Sequence, residues 1–202
     1  MRNYFGNKEL MHAGHTYVVD YTEPDVAGGT PEGRKVEISA TPPDRKCFRL
    51  VNEGAVYHLA ANLEHYPADF CQKNNCEAFL VPLDAQSSGD ERPWLLFLEL
   101  KYCHASNPRK EQNDRRKIDE NLTKALQQML ATRDRVKEMF GLDHTTHSLY
   151  VNIHFPWLEE YSPFACSYWH PDFLTDLRAD EHVNLLGCPA LKALSPYHLS
   201  EP

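Results

Sequence analysis

The sequence predicts a single mixed α/β (α+β) domain in which helices flank a central mixed sheet. Three observations support this prediction. Short β-branched and aromatic runs open the chain, a strong helical period covers about residues 112–140, and an apolar strand pattern stands on each side of that helix. A chain of 202 residues, 42% of them hydrophobic, can bury a sizeable core. Interleaved strands and helices then favour helices packed on a sheet.

The first part of the chain, residues 1–52, predicts an antiparallel β meander. Strand-like runs begin near 15, 33 and 45, and segments rich in turn formers, DVAGGTPEG and TPPD, separate them. The following segment, 53–73, predicts a helix that Pro67 breaks or restarts. Its apolar residues stand at helical spacing: Val56, Leu59, Ala60, Leu63 and Phe70.

Two strands follow this segment. CEAFLVPLD begins at Cys76, and PWLLFLELKYC covers residues 93–103. The polar loop 84–93 between them predicts a hairpin, in which we expect Leu83 to pair with about Leu95.

The segment from about 112 to 140 gives the strongest helix prediction, with Gly141 as its C-cap. HSLYVNIHFPW, residues 147–157, predicts a further buried strand. The apolar stripe of the helix should pack on the sheet, and it contains Ile118, Leu122, Ala125, Met129, Val136 and Phe140, widened by Leu126 and Met139.

These elements divide the domain into the meander (1–52), a core (53–155) and a C-terminal extension (156–202). The extension is rich in aromatic residues and has no clean period, so the sequence indicates only a mixed segment there. No apolar run approaches the roughly 20 residues that span a bilayer, and the N-terminal residues lack the apolar region of a signal peptide. We therefore expect a cytoplasmic protein.

Charge and cysteine content limit the function classes. The net charge of −8 argues against a broad basic surface that coats nucleic acid, although a local basic patch remains compatible with it. The six cysteines, none in a CxxC pair, favour reduced thiols over a disulfide framework. Their positions are 47, 71, 76, 103, 166 and 188.

The apolar strand carries Glu99 and Lys101 near its end, and residues two apart in a strand project from the same face. With the expected hairpin register, Glu77 lies opposite Lys101 and diagonal to Glu99. Asp84 would lie roughly 16 Å from Glu99 along the strand, so Glu77 is the better partner. The alternative is an exposed ion pair of Glu99 with Lys101, worth about 0–1 kcal/mol.

Two carboxylates beside a lysine suit a hard divalent cation such as Mg²⁺ or Mn²⁺, which takes carboxylate oxygens and keeps several waters. The carbonyl of Leu100, between Glu99 and Lys101, is a candidate for a further oxygen ligand. Lys101 can orient or help deprotonate an attacking water and offset negative charge that develops at phosphorus.

The pattern CEAFLV (76–81), a loop, LFLELK (96–101), a long helix and a strand resembles the core of the PD-(D/E)XK, or restriction-endonuclease-like, nucleases over about residues 53–155. The resemblance implies that Glu77, Glu99 and Lys101 form a magnesium site. It also implies that Gln128, in QMLAT, is a site residue, and that a glutamate on the first helix takes part. The candidates for that glutamate are Glu53 and Glu64.

A basic cluster lies between the second strand and the long helix. Such side chains neutralise backbone phosphates of nucleic acid, but the same cluster also fits a solvated helix end, because acidic residues are interleaved with it. Its members are Arg109, Lys110, Arg115, Arg116 and Lys117.

The remaining clusters have ordinary interpretations. His144 and His147 have the spacing of zinc ligands but are more simply loop histidines. No further ligands complete a metal site with Cys166 and His170, or with Cys71 and Cys76. Four aromatic residues could stack on bases or belong to a core or interface. They are Trp157, Tyr161, Tyr168 and Trp169.

Two function classes follow. The first is a metal-dependent nuclease that hydrolyses phosphodiester bonds, in DNA by preference, with Mg²⁺ or Mn²⁺ as cofactor. It would act as a homodimer or with a partner protein to cut both strands. The second is a non-catalytic module that keeps the nuclease-like fold and binds a protein, which the acidic balance suits.

Overall fold

The computed structural model describes residues 1–6, 8–20, 36–44, 46–70, 75–100, 111–154 and 170–201. For residues 20, 111–119 and 121 it describes the backbone only.

The described chain is mixed α/β, with eleven strands, three α-helices and one 3₁₀ turn, Leu63–His65. The helices are α1 (Arg2–Phe5), α2 (Glu111–Phe140) and α3 (Pro171–Glu181). The strands are β1 (Leu10–His12), β2 (Thr16–Asp20), β3 (Val36–Ser39), β4 (Phe48–Asn52), β5 (His58–Asn62), β6 (Ala78–Pro82), β7 (Trp94–Leu100), β8 (Ser148–His154), β9 (Val183–Leu186), β10 (Ala190–Ser195) and β11 (His198–Ser200). Within these ranges no helix is both long and apolar enough to cross a lipid bilayer.

Six strands form a mixed sheet in the order β1-β5-β6-β7-β8-β9. The first four strands pair antiparallel, whereas β8 runs parallel to β7 and β9 runs parallel to β8. Parallel neighbours need a crossover connection, and α2 lies in the connection from β7 to β8. The expected strand–helix–strand order and the mixed sheet are therefore confirmed, and α2 ends as expected before Gly141, which has a φ of +69°.

The second sheet has the order β11-β10-β4-β2-β3. The expected meander is wrong in its order, because β2 pairs antiparallel with both β3 and β4 and lies between them. Segment 156–202 also gave no strand prediction, yet it supplies β9 to the first sheet and both β10 and β11 to the second. β10 pairs parallel with β4.

The helix expected over 53–73 is wrong. β5 occupies this segment, and all five of its residues are buried. Leu59 and Ala61 pack in the cluster on one face of the sheet and Ala60 in the cluster on the other. A strand buried on both faces loses its alternation of apolar and polar residues, and its apolar positions can then match a helical period.

The six-stranded sheet is the middle layer of the molecule. Four residues of the predicted α2 stripe, Leu122, Ala125, Met129 and Val136, are buried on one face of this sheet. Side chains of β2, β4 and β10 from the five-stranded sheet cover the other face. All seven residues of β7 are consequently buried.

A polar network joins the two sheets. His12 Nε2 lies 2.8 Å from Thr16 Oγ1, which lies 2.7 Å from His58 Nε2, and His58 Nδ1 donates to the Val56 carbonyl at 2.9 Å. Neutral His58 can therefore accept the Thr16 hydroxyl proton at Nε2. A second proton on the ring would face that hydroxyl and force the network to rearrange. Thr16 and His58 are fully buried.

We expect this network to make stability depend on pH. Burial in the first place, and then the nearby His12 charge, lower the pKa of His58 to about 4. An unfolded histidine binds its proton near pH 6.5, so the free energy of unfolding should fall as the pH drops from about 6.5 to about 4, by up to about 3 kcal/mol from His58. Urea unfolding at several pH values should show this loss.

His58→Gln is the comparison for that experiment, because glutamine cannot take up the proton. Burial also lowers the pKa of His154 to about 4. His154 is present in both proteins, so its contribution cancels in the comparison. The variant should be less stable at pH 7 but should lose less stability below pH 6. Parallel pH profiles for the two proteins would contradict the assignment.

Gly54 lies at a close approach of two backbones. Its N–H donates to the Ala193 carbonyl at 2.9 Å, and a Cβ atom at this position would lie 2.2 Å from the Leu194 carbonyl oxygen. We expect Gly54→Ala to lower the free energy of unfolding by at least about 3 kcal/mol, because rigid backbone has to move. Gly89→Ala should cost only about 1 kcal/mol, since Gly89 has a φ of +59° and open space around it. Equal decreases in melting temperature for Gly54→Ala and Gly89→Ala would contradict the clash.

Candidate active site at the end of strands β6 and β7

The register of β6 and β7 brings two glutamates together. Ala78 pairs with Leu98, so Glu77 stands opposite Glu99. The expected register was wrong by two residues: β6 ends at Pro82, and the Leu83 N–H donates to the Tyr57 carbonyl beside β5. A shift of two residues keeps every side chain on its expected face.

Each of these carboxylates accepts a hydrogen bond from the backbone of the other strand. The Glu77 N–H donates to Glu99 Oε2 at 3.1 Å, and the Leu100 N–H donates to Glu77 Oε2 at 2.9 Å. These side-chain bonds continue the link between β6 and β7 where the backbone pairing ends. The two carboxylates are therefore held side by side.

Burial excludes the exposed ion pair as an account of Glu99. Its relative exposure is 2%, whereas Glu77 is half-buried. Like charges opposite each other destabilise a strand pair, and a buried carboxylate must be paired or hydrogen-bonded. The two backbone N–H groups meet part of this need, and their bonds are charge-assisted.

Lys101 and two members of the basic cluster, Arg109 and Lys110, lie outside the described residues. The other three members lie in the first part of α2, for which the backbone alone is described. They are Arg115, Arg116 and Lys117. The assignments of all six residues stay predictions, as do those of Cys71, Cys166 and the four aromatic residues of 157–169.

Helix α2 anchors the segment that leads to Glu77. Gln128 Nε2 donates to the Asn75 carbonyl at 3.2 Å, and Thr132 Oγ1 accepts the Cys76 N–H at 2.8 Å. Gln128 and Thr132 are one helical turn apart, so both face the same segment. Gln128 thus lies near the two carboxylates, and its observed amide contact is to the backbone two residues before Glu77.

The negative charge of the two glutamates affects the pKa of the Cys76 thiol. Burial raises the pKa of Cys76, and the negative charges of Glu99 and Glu77 raise it further. The thiol donates to the Ala78 carbonyl at 3.3 Å and is buried, which fits the predicted structural cysteine.

Neither Glu53 nor Glu64, the candidates for a glutamate on the first helix, lies on an α-helix, because segment 53–73 contains the strand β5. Glu53 pairs with Lys192 at 3.6 Å, beside the five-stranded sheet. Glu64 lies in the 3₁₀ turn and accepts the Val36 N–H at 3.1 Å. This turn is close to the carboxylates, since the Leu63 N–H donates to the Glu77 carbonyl at 3.0 Å.

No sequence pattern predicts a role for Glu9 and His65, which also lie at this end of the sheet. The Glu9 carboxylate accepts the Asn62 N–H at 2.7 Å and lies 2.8 Å from His65 Nδ1. The contact joins residues 56 positions apart. No local pattern identifies such a pair.

A separate polar cleft of about 190 Å³ lies near the C-terminal ends of α2 and α3. Its charged residues are largely paired with each other, as in Arg133 with Glu181 at 2.7 Å and Lys137 with Asp143 at 3.4 Å. His144 stacks on His182 there, with ring centroids 4.1 Å apart. The cleft offers no arrangement comparable to the glutamate pair.

The donor set at Glu77 and Glu99 fits a hard cation. Carboxylate oxygens, with the Leu100 carbonyl as the predicted third donor, are ligands that Mg²⁺ accepts, and Mg²⁺ retains waters at its other positions. In the part of the chain that the structure describes, no group of three or more His, Cys, Asp or Glu residues is placed to hold a metal. Two carboxylates are enough for an ion that keeps several waters.

The anchoring role of Thr132 can be measured as stability. Thr132→Val keeps the shape of the side chain but leaves the buried Cys76 N–H without its acceptor, so the free energy of unfolding should fall by about 1–3 kcal/mol. Thr132→Ser should restore most of the loss. The control is Thr175→Val in α3, where the exposed hydroxyl donates to the Pro171 carbonyl, and its change should stay below about 1 kcal/mol. Equal effects of the two valine substitutions would contradict the anchor.

Comparison of the chain with known protein families, curated proteins and solved structures gives no match.

Proposed function

We propose that this protein is a metal-dependent nuclease of the PD-(D/E)XK type that hydrolyses phosphodiester bonds, with DNA as the preferred substrate. The observation that carries the proposal is the side-by-side pair of Glu77 and Glu99 at the end of a buried sheet, where each carboxylate accepts a hydrogen bond from a backbone N–H of the other strand. A pair of fixed carboxylates concentrates negative charge, which favours a divalent cation at this point.

The order of elements also supports the proposal. β6, β7, α2 and β8 follow one another as the resemblance implies, with β7 and β8 parallel and α2 packed over the face that carries both glutamates. We therefore include a restriction-endonuclease-like core in the proposal. Shared topology alone would not assign the chemistry.

In the proposed mechanism, Glu77 and Glu99 would hold Mg²⁺ or Mn²⁺ together with the Leu100 carbonyl, and such an ion would supply Lewis-acid polarisation of a phosphoryl oxygen. Lys101 orients the attacking water and offsets the negative charge that develops at phosphorus. Gln128 helps to position the water or phosphate from α2.

Nucleic acid would approach past the predicted basic cluster of 109–117. Lysine and arginine side chains there would neutralise backbone phosphates and so give affinity that does not depend on sequence. Because one site cuts one strand, cleavage of a duplex on both strands would need a homodimer or a partner protein.

The net charge of −8 favours the second candidate, a non-catalytic module that keeps this fold and binds a protein partner. It predicts that Glu77 and Glu99 can be replaced without loss of partner binding. It also predicts no hydrolysis with any nucleic acid.

The deciding experiment incubates the protein with supercoiled plasmid, linear duplex, single-stranded DNA and RNA in Mg²⁺ or Mn²⁺. Glu77→Gln, Glu99→Gln and Lys101→Ala should each lower the cleavage rate by about 100-fold or more, because the two glutamates would bind the metal directly and Lys101 would act on the attacking water. EDTA should abolish cleavage.

Glu138→Gln is the matched control, since Glu138 is an exposed carboxylate paired with Arg135 near the end of α2. Its cleavage rate should match that of the unchanged protein. Mn²⁺ binding, followed by electron paramagnetic resonance, gives a readout besides activity and should weaken in Glu77→Gln and in Glu99→Gln. Cleavage that persists unchanged in Glu99→Gln and Lys101→Ala would overturn the mechanism, and no cleavage of any substrate would favour the binding module.

A further inference from the structure

The two glutamates of the site are held in different ways. Glu99 lies inside β7, where it pairs with Ile153 of β8. Glu77 stands one residue before β6 begins at Ala78, so contacts from neighbouring elements have to fix it. Its carbonyl accepts the Leu63 N–H at 3.0 Å, and its N–H donates to Glu99 Oε2 at 3.1 Å. The placement of Glu77 therefore also depends on the chain that leads into it.

Helix α2 binds both polar atoms of the peptide group between Asn75 and Cys76. Gln128 Nε2 donates to the carbonyl of this group at 3.2 Å, and Thr132 Oγ1 accepts its N–H at 2.8 Å. A peptide group is planar, so a partner at each end fixes the orientation of the whole group. The next peptide group contains the Glu77 N–H, which bonds the other glutamate. Both peptide groups before Glu77 are thus held in place.

Thr132 supplies a hydrogen-bond acceptor where water has little access. Thr132 is fully buried and Cys76 is nearly so, and the Thr132 hydroxyl donates its own proton to the Gln128 carbonyl at 2.8 Å. Its oxygen lone pair therefore faces the Cys76 N–H. A buried N–H that loses its acceptor costs free energy, and rotation of the peptide group toward another acceptor would lower that cost. Such a rotation would displace Glu77.

Two of the three proposed oxygen donors depend on the position of Glu77. One is its own carboxylate. The other is the carbonyl of Leu100, because the Leu100 N–H donates to Glu77 Oε2 at 2.9 Å and a displaced Glu77 would loosen this backbone. Mg²⁺ requires near-ideal octahedral geometry with oxygen ligands at about 2.0–2.1 Å. A shift of either donor therefore lowers the affinity for the ion.

We propose that Thr132 is a positioning residue that sets the affinity of the Glu77–Glu99 pair for a divalent cation. It acts through the Cys76 N–H and Glu77, and it contacts neither the ion nor the nucleic acid. The inference rests on the metal site of the proposed function, and it gives Thr132 a functional effect in addition to its effect on stability. Groups that orient direct metal ligands change metal affinity about 10- to 100-fold when they are replaced.

The test measures the dissociation constant of Mn²⁺ by electron paramagnetic resonance, without nucleic acid and well below the melting temperature of every variant. Thr132→Val keeps the shape of the side chain but has no acceptor, so Mn²⁺ should bind about 10-fold more weakly. Thr132→Ser keeps the hydroxyl and should bind Mn²⁺ within about threefold of the unchanged protein. Equal affinity of Thr132→Val and the unchanged protein would overturn the inference.

Val136→Ala is the matched control for a general loss of packing. Val136 lies one helical turn after Thr132 in α2 and is fully buried, so its truncation should lower the melting temperature. It leaves Gln128 and Thr132 in place, and the Mn²⁺ affinity should therefore not change. An equal weakening in Val136→Ala and Thr132→Val would mean that stability alone governs the affinity, and the inference would be wrong.

The amide N–H signals of Glu77 and Leu100, followed by NMR, report on the site without any metal, because each N–H donates to the carboxylate of the other strand. Both signals should move in Thr132→Val as these bonds lengthen, and should move much less in Thr132→Ser and Val136→Ala. Unchanged signals in Thr132→Val would contradict the positioning role.

The outcomes separate this inference from the nuclease mechanism. Mn²⁺ binding that depends on Thr132, without cleavage of any nucleic acid, would overturn the mechanism alone. Cleavage and Mn²⁺ binding that do not respond to Thr132→Val would overturn this inference alone. No Mn²⁺ binding by the unchanged protein would overturn both.

Discussion

The burial of β7 on both faces is the constraint on which the rest of the structure depends. All seven residues from Trp94 to Leu100 are buried, between α2 on one side and the five-stranded sheet on the other. Six of them are apolar, and Glu99 is the exception. A carboxylate at that position is stable only if other groups compensate its charge. The fold provides the Glu77 N–H as a backbone donor for it at the point where the β6–β7 ladder ends.

This compensation also explains the shape of the site. Glu99 bonds to the start of β6, Glu77 bonds to the end of β7, and α2 holds the segment before Glu77 through Gln128 and Thr132. Glu99 lies within β7 and Glu77 directly precedes β6, so both carboxylates are held at the ends of paired strands.

Local patterns in the sequence predicted some elements well and others badly. The long amphipathic helix, its end at Gly141 and the hairpin of β6 with β7 were predicted because period, cap and turn signals are local. Segment 53–73 was misread as helix because β5 is buried on both faces and has no alternation. The strand order of the second sheet could not be predicted, since β4 pairs with β10 across more than a hundred residues.

The sequence by itself determined that Glu77 and Glu99 share one face of the sheet, because the period of two survives a register shift of two. Only the tertiary structure decided that the two glutamates stand opposite each other, that Glu99 is buried, and that Glu9 meets His65. The physical reason is that side chains alternate locally along each strand, and every register of the same parity places the two glutamates on one face. Register, burial and the Glu9–His65 contact instead depend on segments far apart in the chain that meet only in the packed molecule.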